Sequence, residues 1–165
     1  MRKFWAAIGT AVFFVIAPGS LAGLIPWWIT RWQMKPAFLE MEFSRYFGMA
    51  LVLGGLVPLV ESFARFALKG LGTPAPIAPT QHLVVSGFYR YVRNPMYVGV
   101  VTIILGQALI LGDVRLLYYA AIVWLGFHLF VLLYEEPTLR RAYGAEYENF
   151  CAHVPRWLPR LTPWK

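Results

Sequence analysis

Two adjacent carboxylates, Glu135 and Glu136, follow a long apolar stretch that ends near Tyr134. The macrodipole of a helix is negative at its C-terminal end, so acidic residues there are disfavoured by roughly 0.3–1 kcal/mol. Carboxylates placed against this bias indicate a site that needs negative charge and therefore binds a cationic group. The alternative is that both side chains are simply solvated at the end of the helix.

Positive charge collects just before another apolar stretch, where Arg90 and Arg93 precede Asn94 and Pro95. Asn94 is a favourable N-cap and Pro95 suits the first position of a helix, so these two need no functional explanation. The arginines crowd a helix N-terminus that is already electropositive, and together with its free N–H groups they would bind an anion. The alternative is that both arginines face lipid phosphates.

Three further polar residues interrupt apolar stretches. Glu61 and Arg65 are four residues apart, and we interpret them as an ion pair whose arginine reaches the membrane interface. His128 precedes Glu135 by seven residues, which predicts the same helical face, and we interpret it as a neutral packing partner. One group of residues is expected near the cytoplasmic leaflet and favours a ligand that has both a cationic and an anionic end: Arg90, Arg93, Tyr97, His128, Glu135 and Glu136.

The composition defines the elements that must position these residues. Of the 165 residues, 59% are hydrophobic and 14% are charged, whereas soluble domains carry about 25% charged residues. This excludes an ordinary soluble domain and a disordered chain. The net charge of +7 lies between apolar runs and forms no basic stripe, so no nucleic acid partner is expected. The single cysteine, Cys151, excludes an internal disulfide and a multi-cysteine metal site, and no metal is predicted.

Four apolar stretches, at residues 4–28, 46–68, 95–112 and 116–134, are long enough to cross a bilayer as helices. The sequence thus predicts an all-α, polytopic membrane protein with about four transmembrane helices. The first stretch also has features of a signal peptide. With the N-terminus inside, eleven Lys and Arg residues lie on the inner side and four outside. This predicts an integral, multi-pass protein with both termini in the cytoplasm.

We predict a single membrane domain over residues 1–165. It comprises two N-terminal spans (1–68), a cytoplasmic connector (69–94), a helical hairpin (95–134) and a cytoplasmic tail (135–165). The second half of the connector is aromatic and apolar, and we expect it to pack against the rest of the protein. The tail has apolar residues at helical spacing and should form an amphipathic cytoplasmic helix, followed by an interfacial anchor; the residues on its apolar face are Leu139, Tyr143, Tyr147, Phe150 and Val154.

Two boxes of residues, in order and at matching spacing, carry a resemblance to a known family. The first lies within residues 82–99 and includes Gly87-Phe88-Tyr89-Arg90-Tyr91-Val92-Arg93-Asn94-Pro95-Met96-Tyr97. The second runs from Glu135-Glu136-Pro137 through Tyr143–Tyr147 to Val154-Pro155. Over residues 80–160 the chain resembles the isoprenylcysteine carboxyl methyltransferase / phospholipid methyltransferase superfamily. Asn94 stands where that family usually has His, and Pro137 where it usually has Arg.

The resemblance implies an S-adenosylmethionine-dependent membrane methyltransferase that acts at the cytoplasmic leaflet. Its acceptor would be lipophilic: a prenylcysteine-like carboxylate, a phospholipid amine or a small thiol. The tail would cover the cofactor. Arg93 would hold a carboxylate, and Glu136 would orient the acceptor or take its proton. The residues implied to bind the cofactor are His82, Leu83, Gly87, Tyr89, Arg90, Pro95, Tyr97 and Glu135.

Two other functions remain open at this point. One is a sterol-reductase-like oxidoreductase that uses NADPH, since those membrane enzymes share a similar arginine-containing box. Four spans are few for such an enzyme. The other is a non-enzymatic membrane scaffold with a decayed pocket, which Asn94 and Pro137 would support.

Overall fold

The computed structural model describes residues 16–69, 83 and 85–165, and all regular structure within them is helical. His82, one of the predicted cofactor-binding residues, and the first part of the predicted span 4–28 lie outside the described residues. The helices are α1 (residues 16–30), α2 (Phe43–Lys69), α3 (Pro95–Leu111), α4 (Val114–Phe130), α5 (Glu136–Tyr143) and α6 (Ala145–His153). Short 3₁₀ turns cover Phe38–Glu40 and Gly87–Arg90.

Two helical segments among the described residues are long and apolar enough to cross a membrane: Phe43–Arg65 and Val114–Tyr143. The apolar helix Pro95–Leu111 is shorter. The predicted spans 46–68 and 95–112 therefore agree with helices, and within the described residues two of the four predicted spans meet the length requirement.

The predicted end of the fourth span near Tyr134 is wrong. The helical segment continues from α4 through a π-helical turn, Val131–Glu135, directly into α5. Glu135 and Glu136 thus lie inside a continuous helix, not at its end. The π turn precedes Pro137, which has no backbone N–H to donate within a helix, and the Glu136 N–H bonds to the Val131 carbonyl five residues back.

Helices α2 and α3 form the most extensive helix–helix contact. The two helices approach closely because glycines face each other at two levels, Gly48 with Gly106 and Gly55 with Gly99. A methyl group added at Gly55 would lie 2.7 Å from the Gly99 carbonyl oxygen. Small residues at a helix interface allow this approach of the two backbones. The core between α2, α3 and α4 contains Leu59, Phe63, Val100, Ile103, Ile104, Ala108 and Leu116.

Helix α1 docks against the bundle through backbone groups that its own π turn, Ser20–Leu24, makes available. The Gln107 side chain of α3 donates to the Ala22 carbonyl at 2.7 Å, and the Tyr119 hydroxyl of α4 donates to the Leu21 carbonyl at 2.9 Å. In an apolar environment a carbonyl without a partner is costly, so these two polar side chains stabilise the position of α1.

The turn between α3 and α4 holds a buried carboxylate. Asp113 accepts from the Arg115 guanidinium and the Arg115 backbone N–H, and Lys35 Nζ lies 2.9 Å from its Oδ2. These contacts hold the pKa of Asp113 below its usual range despite burial. We call Asp113, Lys35 and Arg115 the Asp113 clip, and we call this end of the bundle the turn end.

Candidate functional site

At the opposite end of the bundle, Glu136 lies between two arginines. Its Oε1 accepts from Arg93 Nη1 at 3.0 Å and from Arg156 Nε at 2.6 Å, and its Oε2 accepts from Arg156 Nη2 at 3.0 Å. The hydrogen bond to Glu136 raises the pKa of Arg156 above its usual value. Because both carboxylate oxygens already accept from guanidinium groups, the geometry suits orientation of the arginines better than proton uptake. We call these three residues the Glu136 cluster.

Glu135 contacts a different residue of the first box. The Tyr97 hydroxyl donates to Glu135 Oε2 at 2.8 Å. The Tyr97 ring stacks on Phe127 of α4, with 4.5 Å between the ring centroids. The two boxes of the sequence are therefore in direct contact, through Tyr97 with Glu135 and through Arg93 with Glu136. We call this the motif end of the bundle.

Asn94 does not cap α3 as predicted. It occupies the N-cap position, but its side chain makes no capping hydrogen bond; instead its Nδ2 donates to the Arg156 carbonyl at 3.1 Å. The Arg93 backbone N–H donates to the Pro155 carbonyl beside it, at 2.9 Å. The Asn94 side chain and the Arg93 N–H thus fasten the C-terminal tail to the start of α3.

The rest of the tail crosses the same segment. The Arg160 N–H donates to the Tyr91 carbonyl at 2.9 Å, and the Trp164 N–H donates to the Arg90 carbonyl at 2.9 Å. Arg90 Nε donates back to the Trp164 carbonyl at 2.5 Å. The arginine predicted as an anion ligand is thus engaged by the tail, which lies over residues 90–94.

His128 is a packing partner, as predicted, but it does not share the contacts of Glu135. Trp157 Nε1 donates to His128 Nδ1 at 3.0 Å, and Trp124 stacks on the imidazole at a centroid distance of 5.1 Å. An indole N–H can only donate, so Nδ1 is an acceptor in the neutral ring. The π turn between His128 and Glu135 explains why a spacing of seven residues does not give a common set of neighbours here.

Gly87 lies against the charged pair of α2. Its φ of 59° is in the left-handed region that favours glycine. A Cβ atom at this position would collide with the Glu61 carboxylate and the Arg65 guanidinium. Arg65 Nε donates to Glu61 Oε1, so the predicted ion pair is present.

Tyr89 is half-buried next to this pair, between α2 and the second box. Burial, followed by the charge of Glu135, raises the pKa of the Tyr89 hydroxyl, while the Ser62 hydroxyl acts in the opposite direction. Tyr89 therefore stays protonated at neutral pH and can donate a hydrogen bond.

Two cavities adjoin these residues. The larger is about 880 Å³ and is lined by Leu83, Gly87 and Arg90 of the predicted cofactor set, together with Glu61 and Arg65. The smaller, about 530 Å³, is mostly apolar and lies between α2 and α3. Phe88 and Tyr91 line both cavities, and Pro95 lines the apolar one.

The connector and the tail share a small core, as predicted. Leu83 and Val85 pack against Tyr147, Phe150 and Val154. The predicted single amphipathic helix is in fact two helices, α5 and α6, because Gly144 has a positive φ of 51° and interrupts it. The apolar residues predicted to share one face still come together, since Leu139 and Tyr143 also pack against this core.

Sequence reasoning missed Arg156, which makes two of the three hydrogen bonds to Glu136, and Trp157, which binds His128. Both lie in the segment that was expected to be a simple interfacial anchor. The predicted ion pair of Glu61 with Arg65 is confirmed.

Comparison with known proteins places this arrangement in a family. Residues 43–146 match the family model described as phospholipid methyltransferase. Over 80 residues the chain is 36% identical to the protein-S-isoprenylcysteine O-methyltransferase of Schizosaccharomyces pombe (strain 972 / ATCC 24843). That match covers 48% of this chain and 34% of the yeast protein, so the chain spans about a third of this relative's length. No solved structure is significantly similar. Because the matched region exceeds half of the chain and contains α2, α3 and the paired glutamates, the chain belongs to the phospholipid methyltransferase family.

Proposed function

We propose that the protein transfers a methyl group from S-adenosylmethionine to a lipophilic acceptor at the cytoplasmic leaflet. The observation that carries this proposal is the direct contact between the two boxes, Arg93 with Glu136 at 3.0 Å and Tyr97 with Glu135 at 2.8 Å. The family supports methyl transfer, and the yeast relative is named for O-methylation of isoprenylcysteine.

The residues at the motif end fit this cofactor. The larger cavity, about 880 Å³, is within the range of roughly 300–1,000 Å³ typical of small-molecule sites. Arg90, Arg65 and Glu61 place both signs of charge on its wall, as a zwitterionic amino-acid group requires. Gly87 allows the backbone to approach a ligand closely. When bound, S-adenosylmethionine would supply a methyl group activated by a positively charged sulfur.

The protein's part in such a reaction is alignment and exclusion of water. The tail contacts residues 90–94 through the five hydrogen bonds already described, and in our proposal it closes the site to water. Tyr89 and Tyr97 present aromatic rings, which attract cations such as a sulfonium. Leu83 and Pro95 would contribute apolar contact to the cofactor and the acceptor.

Arg93 is the residue that we assign to carboxylate binding. Glu136 and Cys151 both accept from its Nη1, which fixes the guanidinium. Its Nε is buried and has no hydrogen-bond partner among the described residues. An arginine held in this way can offer its Nε donor to a carboxylate with little loss of side-chain freedom.

The apolar cavity supports a lipophilic acceptor. It lies between the membrane helix α2 and α3, and it shares Phe88 and Tyr91 with the larger cavity. An acyl or prenyl chain in the smaller cavity would place its polar end near Tyr91. We further propose that four spans cross the membrane and that both termini face the cytoplasm, since the positive residues favour that side.

Incorporation of label tests the proposal. Purified protein in lipid nanodiscs is incubated with methyl-labelled S-adenosylmethionine and, separately, a prenylcysteine, phosphatidylethanolamine and an alkyl thiol. We expect label in one of the three acceptors. Arg93→Met should lower the rate by about 10²-fold or more, as loss of a preorganised donor does. Arg141→Met, which removes an exposed arginine from α5, is the matched control and should leave the rate unchanged.

Absence of label in all three acceptors would overturn the proposal. NADPH oxidation on addition of an enone lipid would then assign the chain to the reductase class. Inactivity in both assays would favour a scaffold.

A further inference from the structure

One oxygen of the Glu61 carboxylate accepts a hydrogen bond, and the other has no partner within the part of the chain that the structure describes. Oε1 accepts from Arg65 Nε. Oε2 is buried and has no hydrogen-bond partner among the described residues. Buried carboxylate oxygens are almost always hydrogen-bonded, so an exception calls for an explanation.

The position of Glu61 points to a ligand as that explanation. Glu61 lines the cavity of about 880 Å³ together with Arg65 and Arg90. Gly87 packs so closely against Glu61 that a methyl group there would collide with the carboxylate. A carboxylate of the N-terminal half of the chain is therefore held against the first motif box, at the wall of a space large enough for a small molecule.

The paired glutamates are less available for a cationic group than the sequence indicates. Glu136 uses both oxygens to hold Arg93 and Arg156. Glu135 already accepts from Tyr97. Glu61 Oε2 is thus the carboxylate oxygen of this cavity wall that is both buried and without a partner among the described residues.

We propose that Glu61 binds the α-ammonium group of S-adenosylmethionine, with Arg65 and Arg90 facing its α-carboxylate. This inference rests on the function proposed above and assigns a cofactor-binding role to a residue outside both boxes. An ammonium group donates up to three hydrogen bonds, and a carboxylate is its natural acceptor. The Arg65 guanidinium fixes the Glu61 side chain, so little freedom is lost on binding.

The test compares two ligands that differ in the presence of the α-amino-acid group. S-adenosylhomocysteine carries the α-ammonium and α-carboxylate, and 5′-methylthioadenosine lacks both. Calorimetry measures their affinities for wild-type protein and for Glu61→Gln in detergent micelles. We expect Glu61→Gln to lower the affinity for S-adenosylhomocysteine by at least about 10-fold, as loss of a hydrogen bond to a charged group does. The affinity for methylthioadenosine should change by less than twofold. Glu42→Gln, which changes an exposed carboxylate paired with Arg45, should alter neither affinity.

Each other outcome overturns the inference. Equal weakening of both ligands, with a lower melting temperature, would mean that Glu61 only supports the fold. Unchanged binding of S-adenosylhomocysteine, with weaker binding of phosphatidylethanolamine, would assign the carboxylate to a lipid amine. If wild-type protein binds neither nucleoside, the proposed function fails together with the inference; if wild type binds both and only the comparison with Glu61→Gln fails, the proposed function stands.

Discussion

Each end of the helical bundle has one buried carboxylate between two cations, and the two clusters differ in what they connect. In the Asp113 clip the partners Lys35 and Arg115 are 44% and 51% exposed, and Arg115 is only two residues away. In the Glu136 cluster Arg93 and Arg156 are 11% and 29% exposed and come from segments 43 and 20 residues away. The Asp113 clip therefore joins the α3–α4 turn to Lys35 through solvated cations, whereas the Glu136 cluster joins three segments through shielded cations.

The difference in exposure determines how much each cluster should contribute to the free energy of unfolding. Ion pairs whose cation is solvated contribute little, because water and salt screen them. Removal of one partner from a buried cluster leaves an uncompensated charge and costs much more. The motif end should therefore be sensitive to single substitutions that the turn end tolerates.

The largest effect is expected for Glu136→Ala. The substitution leaves Arg93 and Arg156 without their common partner and should lower the free energy of unfolding by about 3–5 kcal/mol. Unfolding by denaturant in bicelles measures this. Glu148→Ala is the control, because the Arg140–Glu148 pair is exposed on both sides and should change stability by less than about 1 kcal/mol. Equal effects of the two substitutions would contradict the expected difference between buried and exposed ion pairs.

The second-largest loss of stability is expected for a substitution between α2 and α3, the helix pair that joins the two ends of the bundle. In Gly55→Ala the new methyl group would meet the Gly99 backbone and the Ile103 side chain within 3 Å, and we expect a loss of about 1–3 kcal/mol. Gly54→Ala is the matched control, since no atom of the described residues lies within 4 Å of its added Cβ; it should be neutral or stabilising by up to about 1 kcal/mol. Hydrogen exchange should show that Gly55→Ala loosens both ends, and an effect confined to one end would argue against α2–α3 as their link.

Asp113→Asn should have a smaller effect that depends on pH. The hydrogen bonds from Arg115 and Lys35 lower the pKa of Asp113 in the folded protein, relative to about 3.9 in an unfolded chain. The stabilisation is therefore present above about pH 4 and is lost as the pH falls through the folded value. We expect a difference of about 1–1.5 kcal/mol at pH 7, discounted for the solvated partners.

Melting temperatures measured between pH 2 and pH 7 test this. The difference between wild type and Asp113→Asn should shrink as the pH falls. Methyl-transfer activity at pH 7 should remain within twofold of wild type, and a large loss of activity would mean that the turn end is coupled to the site.

The smallest effect is expected for Trp157→Phe. It removes the hydrogen bond to His128 but keeps an aromatic ring in the tail, so the cost should be about 0.5–1.5 kcal/mol. Trp28→Phe, at an exposed position of α1, is the control and should not change the melting temperature. A loss as large as that of Glu136→Ala would make the tail, not the Glu136 cluster, the main support of the motif end.

The sequence could predict features that depend on local spacing. The Glu61–Arg65 pair, the bounds of α3 and the apolar contacts of the tail follow from helical periodicity, and the family follows from the two boxes. It could not predict Arg156 as the partner of Glu136, because that contact depends on how the tail folds back. The role of Asn94 was also out of reach, since the Arg156 carbonyl that it binds is brought there only by the tertiary structure.

The π turn Val131–Glu135 makes the motif end depend on the length of the chain as well as on its side chains. It accommodates one more residue than an α-helical turn, so it sets the rotational phase of everything that follows. Each residue of an α-helix turns the chain by about 100° and advances it by only 1.5 Å. A one-residue deletion in this turn would give an ordinary α-helical turn and leave Glu136 facing Arg93 and Arg156, whereas a two-residue deletion would point Glu136 away from both arginines. The spacing between the apolar helix and the paired glutamates is thus itself a determinant of the site.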